Sequence, residues 1–175
     1  MEQALSSRKK SELVDVLLEL AASDRRLKRS LESRFSVVPA ADKLIETTRQ
    51  AIADATSFNP RDAGTNFPID YDAYESVQRG FERLMGAGRL RETMELALEL
   101  MKRGSYQVES SDEGLMSGEI EDCLRPVITS VDKSDLPTGD VTAWCAAMTK
   151  SDRIGVNCDQ EIEALRKRFA GARPK

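Results

Sequence analysis

The chain has 175 residues, three cysteines, no histidine and a formal net charge of −4, with 40% hydrophobic and 32% charged residues. That length fits one domain with its own core, or one domain with a small appendage. The missing histidine excludes Ser-His-Asp and Cys-His catalysis, imidazole zinc ligation and histidine pH sensing, and the acidic balance disfavours a dedicated nucleic-acid binder.

The opening "MEQALSSRKKSELV" has no apolar signal region, and no run approaches the roughly 20 apolar residues that span a bilayer. A cytoplasmic chain is therefore expected. Its cysteines, Cys123, Cys145 and Cys158, match no zinc or redox spacing and read as reduced thiols, with two of them among apolar neighbours.

The first segment places Leu13, Val16, Leu17, Leu20 and Ala21 on one helix face, with Ser11 as the expected N-cap. Ser23 and Asp24 end it and begin the next. That second segment, "DRRLKRSLESRF", has a stripe of Leu27, Leu31 and Phe35. Its other face carries Arg25, Arg26, Lys28, Arg29 and Arg34 against only Asp24 and Glu32. So short a break predicts an αα-hairpin.

A third helix follows Pro39, with Leu44, Thr48, Ala51, Ile52 and Ala55 facing inward. The stretch "FNPRDAGTNFPIDYD" then reads as the longest loop, pinned by Phe58 and Phe67. The fourth helix is expected from Asp72, capped by Asp72 with Glu75 three residues on. It buries Tyr74, Val77, Phe81 and Leu84, and "GAG" at Gly86–Gly88 stops it. The fifth has Leu90, Met94, Ala97, Leu98 and Met101 in register. Leu96 and Leu100 widen the arc, which marks a central helix, and Gly104 is expected to end it.

"VESSDEGLMSGEIED" carries six carboxylates and two glycines into the sixth helix. Ser117 reads as its cap, with Glu119, Glu121 and Asp122 in the first turns, where carboxylates suit the helix dipole. Pro126 is expected to kink or split that helix. "DVTAWCAAMTK", with Trp144 and Cys145 as core, and "DQEIEALRKRF" from Asp159 complete the pattern. No run alternates with period two over a convincing strand length. The expected fold is all-α: about eight helices in antiparallel hairpins, in an α-solenoid (TPR- or HEAT-like) arrangement. One domain spanning 1–175 would hold first helices over 11–57, a loop over 58–70, central hairpins over 71–152 and a C-terminal helix over 159–170.

The acidic connector fails as a calcium loop. With Gly114 at the sixth position, the twelfth is Ile120; with Gly118 there, the third is Leu115 and the twelfth Leu124. "GAG" followed by "RLRE" lacks the phosphate-loop and dinucleotide fingerprints. "ESVQRGFERLMGAGRLRETMELALE" has the length of a helix-turn-helix, but its second helix is apolar around too much of its circumference to read base edges. Tyr106, just beyond the expected helix end, reads as either exposed or an anchor. No catalytic, cofactor-binding or metal-ligating set emerges.

Three stretches carry a resemblance. "LVDVLLELAASDRRLKRSLESRF" is similar to the opening hairpin of a bacterial helical-repeat family, found in part downstream of SWIM zinc fingers and in part as uncharacterised proteins. "YDAYESVQRGFERLMGAGRLRETMELALELMKRG" resembles its central hairpin, and "ESSDEGLMSGEIEDCL" its acidic connector. The likeness covers most of 11–150. It implies an all-helical repeat fold without established catalysis and a role in protein–protein contact. The finger's Cys-x-Cys and Cys-x-His pairs are absent here, so no nucleic-acid role carries over from it.

The expected function is thus a non-catalytic interaction or adaptor module without cofactors, with an unidentified protein partner and no membrane. The expected contact residues are Arg25, Arg26, Lys28 and Arg29 on the basic helix and Asp112, Glu113 and Glu119 on the connector. Three alternatives stand beside it. One is a nucleic-acid-binding accessory protein using the basic second helix. Another is a metal-dependent enzyme using the 109–122 acidic loop. The third is a structural homo-oligomer.

Overall fold

The computed structural model describes residues 8–24, 26–28, 31, 41–59, 61, 63–65, 69–111, 117–155 and 157–171. Two compact units divide the chain, Met1–Pro39 and Ala40–Lys175. Among the described residues all regular structure is helical and no strand occurs, so the fold is all-α.

The first unit contains α1, Lys10–Ser23. It starts one residue before the expected Ser11 cap, which instead falls within the first turn. Lys9 occupies the cap position, and its backbone N–H donates to the Glu12 carboxylate at 3.4 Å. The break at Asp24 forms as expected. Its N–H donates to Leu20 O at 2.9 Å, closing α1, while its Oδ1 accepts from Arg26 N at 2.8 Å and Leu27 N at 3.2 Å. One short acidic side chain thereby ends one helix and starts the helical turn at 26–28.

The second unit holds α2 (Ala41–Ala55), α3 (Tyr71–Gly86), α4 (Leu90–Glu109), α5 (Ser117–Asp132), α6 (Thr138–Ser151) and α7 (Asp159–Gly171). α3 begins at Tyr71 because Asp70, not Asp72, is the cap: its Oδ1 accepts from Ala73 N at 3.1 Å. α3 ends at the "GAG" turn as its glycines require. Gly88 sits at φ +72°, Gly88 N–H donates to Met85 O at 3.0 Å and Arg89 N–H to Leu84 O at 2.9 Å. This is the reciprocal pair of a Schellman cap, in which only glycine takes the left-handed position without strain.

Three further expectations are corrected. Gly104 does not end α4; the helix runs on to Glu109, and a Cβ on Gly104 would lie 2.7 Å from Ile120 Cδ1. Gly104 is thus a packing glycine at the α4–α5 contact. Pro126 does not split α5, which is continuous across it. An interior proline costs about 3 kcal/mol. Burial of Ile120, Cys123, Leu124, Val127 and Val131 on the same helix offsets this, at roughly 1.5–3 kcal/mol per large apolar side chain. Ser117 is the first helical residue of α5 rather than the residue before it.

Within this unit each helix packs on its successor in three pairs, α2 on α3, α4 on α5 and α6 on α7. It also packs on the helix two places along, so that α2, α4 and α6 form one row and α3, α5 and α7 another. α4 touches α2, α3, α5 and α6, which is why its buried residues extend from Thr93 and Met94 through Leu96, Ala97 and Leu100 to Val108. Polar contacts mark the register. Arg89 at the start of α4 reaches Asp42 at the start of α2 (3.9 Å), and Arg91 meets Asp140 at the start of α6 (2.7 Å). Ser105 late in α4 donates to Ser151 O at the end of α6 (2.9 Å). Trp144 is buried, as expected, and its indole N–H donates to Met94 O at 2.9 Å. In the other row, Arg125 of α5 pairs with Glu161 of α7 at 3.4 Å, and Arg168 with Asp132. These exposed pairs contribute about 0.2–1 kcal/mol each; the core between the rows carries the stability.

Candidate interaction surface

The extension of α4 beyond Gly104 decides what this end of the unit displays. The added turn carries Tyr106, Gln107, Val108 and Glu109. Gln107 and Val108 point into the core at 1% and 3% exposure, while Tyr106 on the opposite side is 49% exposed. Gln107 bolts the turn down: its Nε2 donates to Ala55 O at the end of α2 (3.1 Å), and its Oε1 accepts from the buried Tyr74 hydroxyl of α3 (2.9 Å).

Against Tyr106 lie two side chains from other segments. The Phe58 ring, from the loop after α2, stands 5.7 Å away centroid to centroid with a 51° tilt. The Arg153 guanidinium, from the loop after α6, sits 4.9 Å from the Tyr106 centroid and pairs with Glu109. Hydrogen bonds are made by the described residues of both supporting loops. Gly64 N–H donates to Ser110 O at 2.8 Å. The Asp152 carboxylate accepts from Ile154 N (3.2 Å), Asn157 N (2.8 Å) and Asn157 Nδ2 (2.9 Å). The result is an exposed aromatic–arginine cluster whose neighbouring loops are tied by hydrogen bonds. Tyrosine and arginine are residue types enriched at the energetic centres of protein interfaces, and a tilted ring pair with a cation over one ring is a favourable arrangement.

None of the contact residues singled out from sequence is among these four. Arg26 and Lys28 are exposed in the first unit. Glu119 is half-buried in the first turn of α5, and its charge helps to raise the pKa values of the Tyr74 hydroxyl and the Cys123 thiol. Arg25, Arg29, Asp112, Glu113 and Phe67 lie outside the described residues. Phe58 does anchor its loop, and Tyr106 is both exposed and an anchor. Arg153 carried no signal, because nothing local distinguishes it from the chain's other arginines.

The unit holds three thiols. Cys123, Cys145 and Cys158 are free and buried. Burial, more than any neighbouring charge, pushes their thiols from about 9 up to about 12, 11 and 12 respectively. A nucleophilic cysteine needs the opposite shift. Among the described residues no group of three or more carboxylates and cysteines could hold a metal ion, and no helix is long and apolar enough to cross a membrane. An open groove of about 460 Å³ between α6 and α7, floored by Ala146 and Ala170, is flanked by Arg166 and Lys167, and Glu163 engages both.

A pH dependence follows from the thiols. They stay protonated in the fold at pH values where the unfolded chain would release their protons, so the folded state binds more protons above pH 9. Stability is then full below about pH 9 and falls as pH rises towards 11–12. Urea denaturation should give a lower midpoint at pH 10 than at pH 8, and a Cys123→Ala/Cys158→Ala variant should show a smaller drop. Equal midpoints at both pH values would refute this.

No family model, curated protein or solved structure matches the chain.

Proposed function

We propose that this chain is a non-catalytic helical-repeat adaptor that binds a protein partner through the Phe58–Tyr106–Arg153–Glu109 cluster. The observation that carries the proposal is an exposed tyrosine in contact with both a phenylalanine ring and a guanidinium. A side chain ordered in advance loses little entropy on binding. The two rows of helices support the repeat reading. Start meets start and end meets end along the row α2, α4 and α6, while early Ile120 of α5 meets late Gly104 of α4. That is the pattern of stacked antiparallel hairpins, in which successive helices of a row share a direction. The resemblance to the SWIM-associated helical family leads to the same reading. Thiols raised rather than lowered in pKa favour a scaffold over an enzyme, and three free cysteines suit a reducing, cytoplasmic setting.

The test is affinity purification with the intact chain beside Tyr106→Ala and Arg153→Glu variants. A protein recovered with the parent should be lost, or reduced about tenfold or more, with both variants. Each of these changes is at an exposed position, so the Trp144 emission should match the parent. An unchanged set of recovered proteins would overturn the proposal.

A further inference from the structure

α1 is more apolar than one hairpin neighbour requires. At about 100° per residue, Val16, Leu20, Leu13 and Leu17 form one stripe and Val14 and Leu18 continue it. The apolar arc covers roughly 200° of the circumference, against about 100° for a helix covered by one layer. Leu18 is 65% exposed, Val16 51%, Leu20 48% and Val14 44%. No described residue of 8–31 is buried. The whole Met1–Pro39 unit falls at the size, about 40 residues, below which a chain segment needs cross-links, metal or association to be stable.

The charges on this unit indicate what covers that face. Glu12, Asp15 and Glu19 lie together on the remaining flank of α1, within about 60° of one another. The following turn is basic, with Arg26 and Lys28 exposed, and Arg25 and Arg29 belong to the same run in sequence. Among the described residues, one unit therefore carries an acidic flank, a basic turn and an exposed apolar arc. A two-fold contact is isologous, so an acidic flank meeting a basic turn is made twice in one interface. We propose that the Met1–Pro39 unit pairs with the same unit of a second copy of this chain. α1 packs its Val14–Leu18 side against the copy, and the Asp15–Glu19 flank faces the copy's Arg26–Lys28 turn. A partner of unrelated sequence would need to reproduce both the arc and the charge pattern; a second copy has them by symmetry.

Light scattering and sedimentation of the full chain across about 1–100 μM test this. The parent should dimerise with rising concentration. Leu18→Glu should weaken the dimer by about a hundredfold. Asp15→Lys/Glu19→Lys and Arg26→Glu/Lys28→Glu, both confined to exposed positions, should each weaken it about tenfold. An equimolar mixture of those two charge variants should recover dimer, because each supplies the charge that the other now needs. Trp144, the single tryptophan, lies in the other unit, so its unchanged emission certifies that unit's fold in every variant. A parent that stays monomeric, a dimer that Leu18→Glu leaves intact, or charge variants that fail to pair in mixture would each overturn the proposal.

Discussion

Gln107→Leu should lower the melting temperature by about 6–12 °C. Gln107 is 1% exposed and joins three helices, with its amide donating to Ala55 O and its carbonyl accepting from the Tyr74 hydroxyl. Leucine has similar bulk but neither group, so a buried phenol and a buried carbonyl lose their partners together. Each orphaned group costs about 1–3 kcal/mol. The added apolar burial returns part of that, which leaves about 3 kcal/mol, and each kcal/mol moves the melting temperature of a domain this size by about 2–4 °C. Tyr74→Phe should cost less, about 1–2 kcal/mol, because it orphans only the Gln107 carbonyl. The double variant should cost about 1 kcal/mol less than the sum of the singles, since the second change removes a group that the first had already stranded. Circular-dichroism melts of the four proteins close the cycle. A Gln107→Leu protein melting within 2 °C of the parent would show that the network is not what holds the last turn of α4. The consequence reaches the surface, because Tyr106 is the adjacent residue. Loosening the turn should also reduce partner recovery, even though Gln107 itself is out of a partner's reach.

The fold was legible wherever a local signal had one meaning. The apolar spacing of α3, with Tyr74, Val77, Phe81 and Leu84, has no other use than a buried helix face, and all four are buried. The "GAG" turn was legible because glycine alone takes the left-handed position of that cap. The reading failed where one residue type serves two purposes. Glycine ends helices, and it also lets helices touch; Gly104 does the second, and the difference lies in Ile120, sixteen positions away. Asp70 and Asp72 are equally good caps by residue type, and the hydrogen bond to Ala73 decides between them. Proline breaks helices in isolation, but the apolar face of α5 outweighs Pro126. The candidate surface was the least legible part. Phe58 precedes Tyr106 by 48 residues and Arg153 follows it by 47, and only the packing of α2, α4 and α6 in one row brings their ends together. The charge runs that sequence favours most are common on solvated helix faces, whereas a three-residue aromatic–arginine cluster leaves no run at all.

Gly80→Val should be the most damaging single change on the α2–α3 face, costing about 3 kcal/mol or more. Gly80 is buried opposite Thr48, and a Cβ built there would lie 2.8 Å from Thr48 Cγ2, with Oγ1 closer still. Thr48 cannot easily turn aside. It is 2% exposed, and its hydroxyl donates to Leu44 O at 2.8 Å, which fixes its rotamer. The backbones must therefore separate at the most extensive helix contact in the unit. Overpacking of this kind costs about 1–3 kcal/mol and occasionally more, and valine adds two further methyl groups and a stiff side chain to the clash. Alanine separates the causes. Gly80→Ala gains about 1 kcal/mol of helix propensity, so its net cost in the parent should be small, about 0–2 kcal/mol. In a Thr48→Ala background, where Oγ1 and Cγ2 are gone, the same change should become neutral or stabilising by up to about 1 kcal/mol. The measurement is a four-protein urea cycle, in which Thr48 and Gly80 should couple by about 1–2 kcal/mol. If Gly80→Ala costs the same with and without the threonine side chain, the close approach of α2 to α3 is not the reason for glycine at this position.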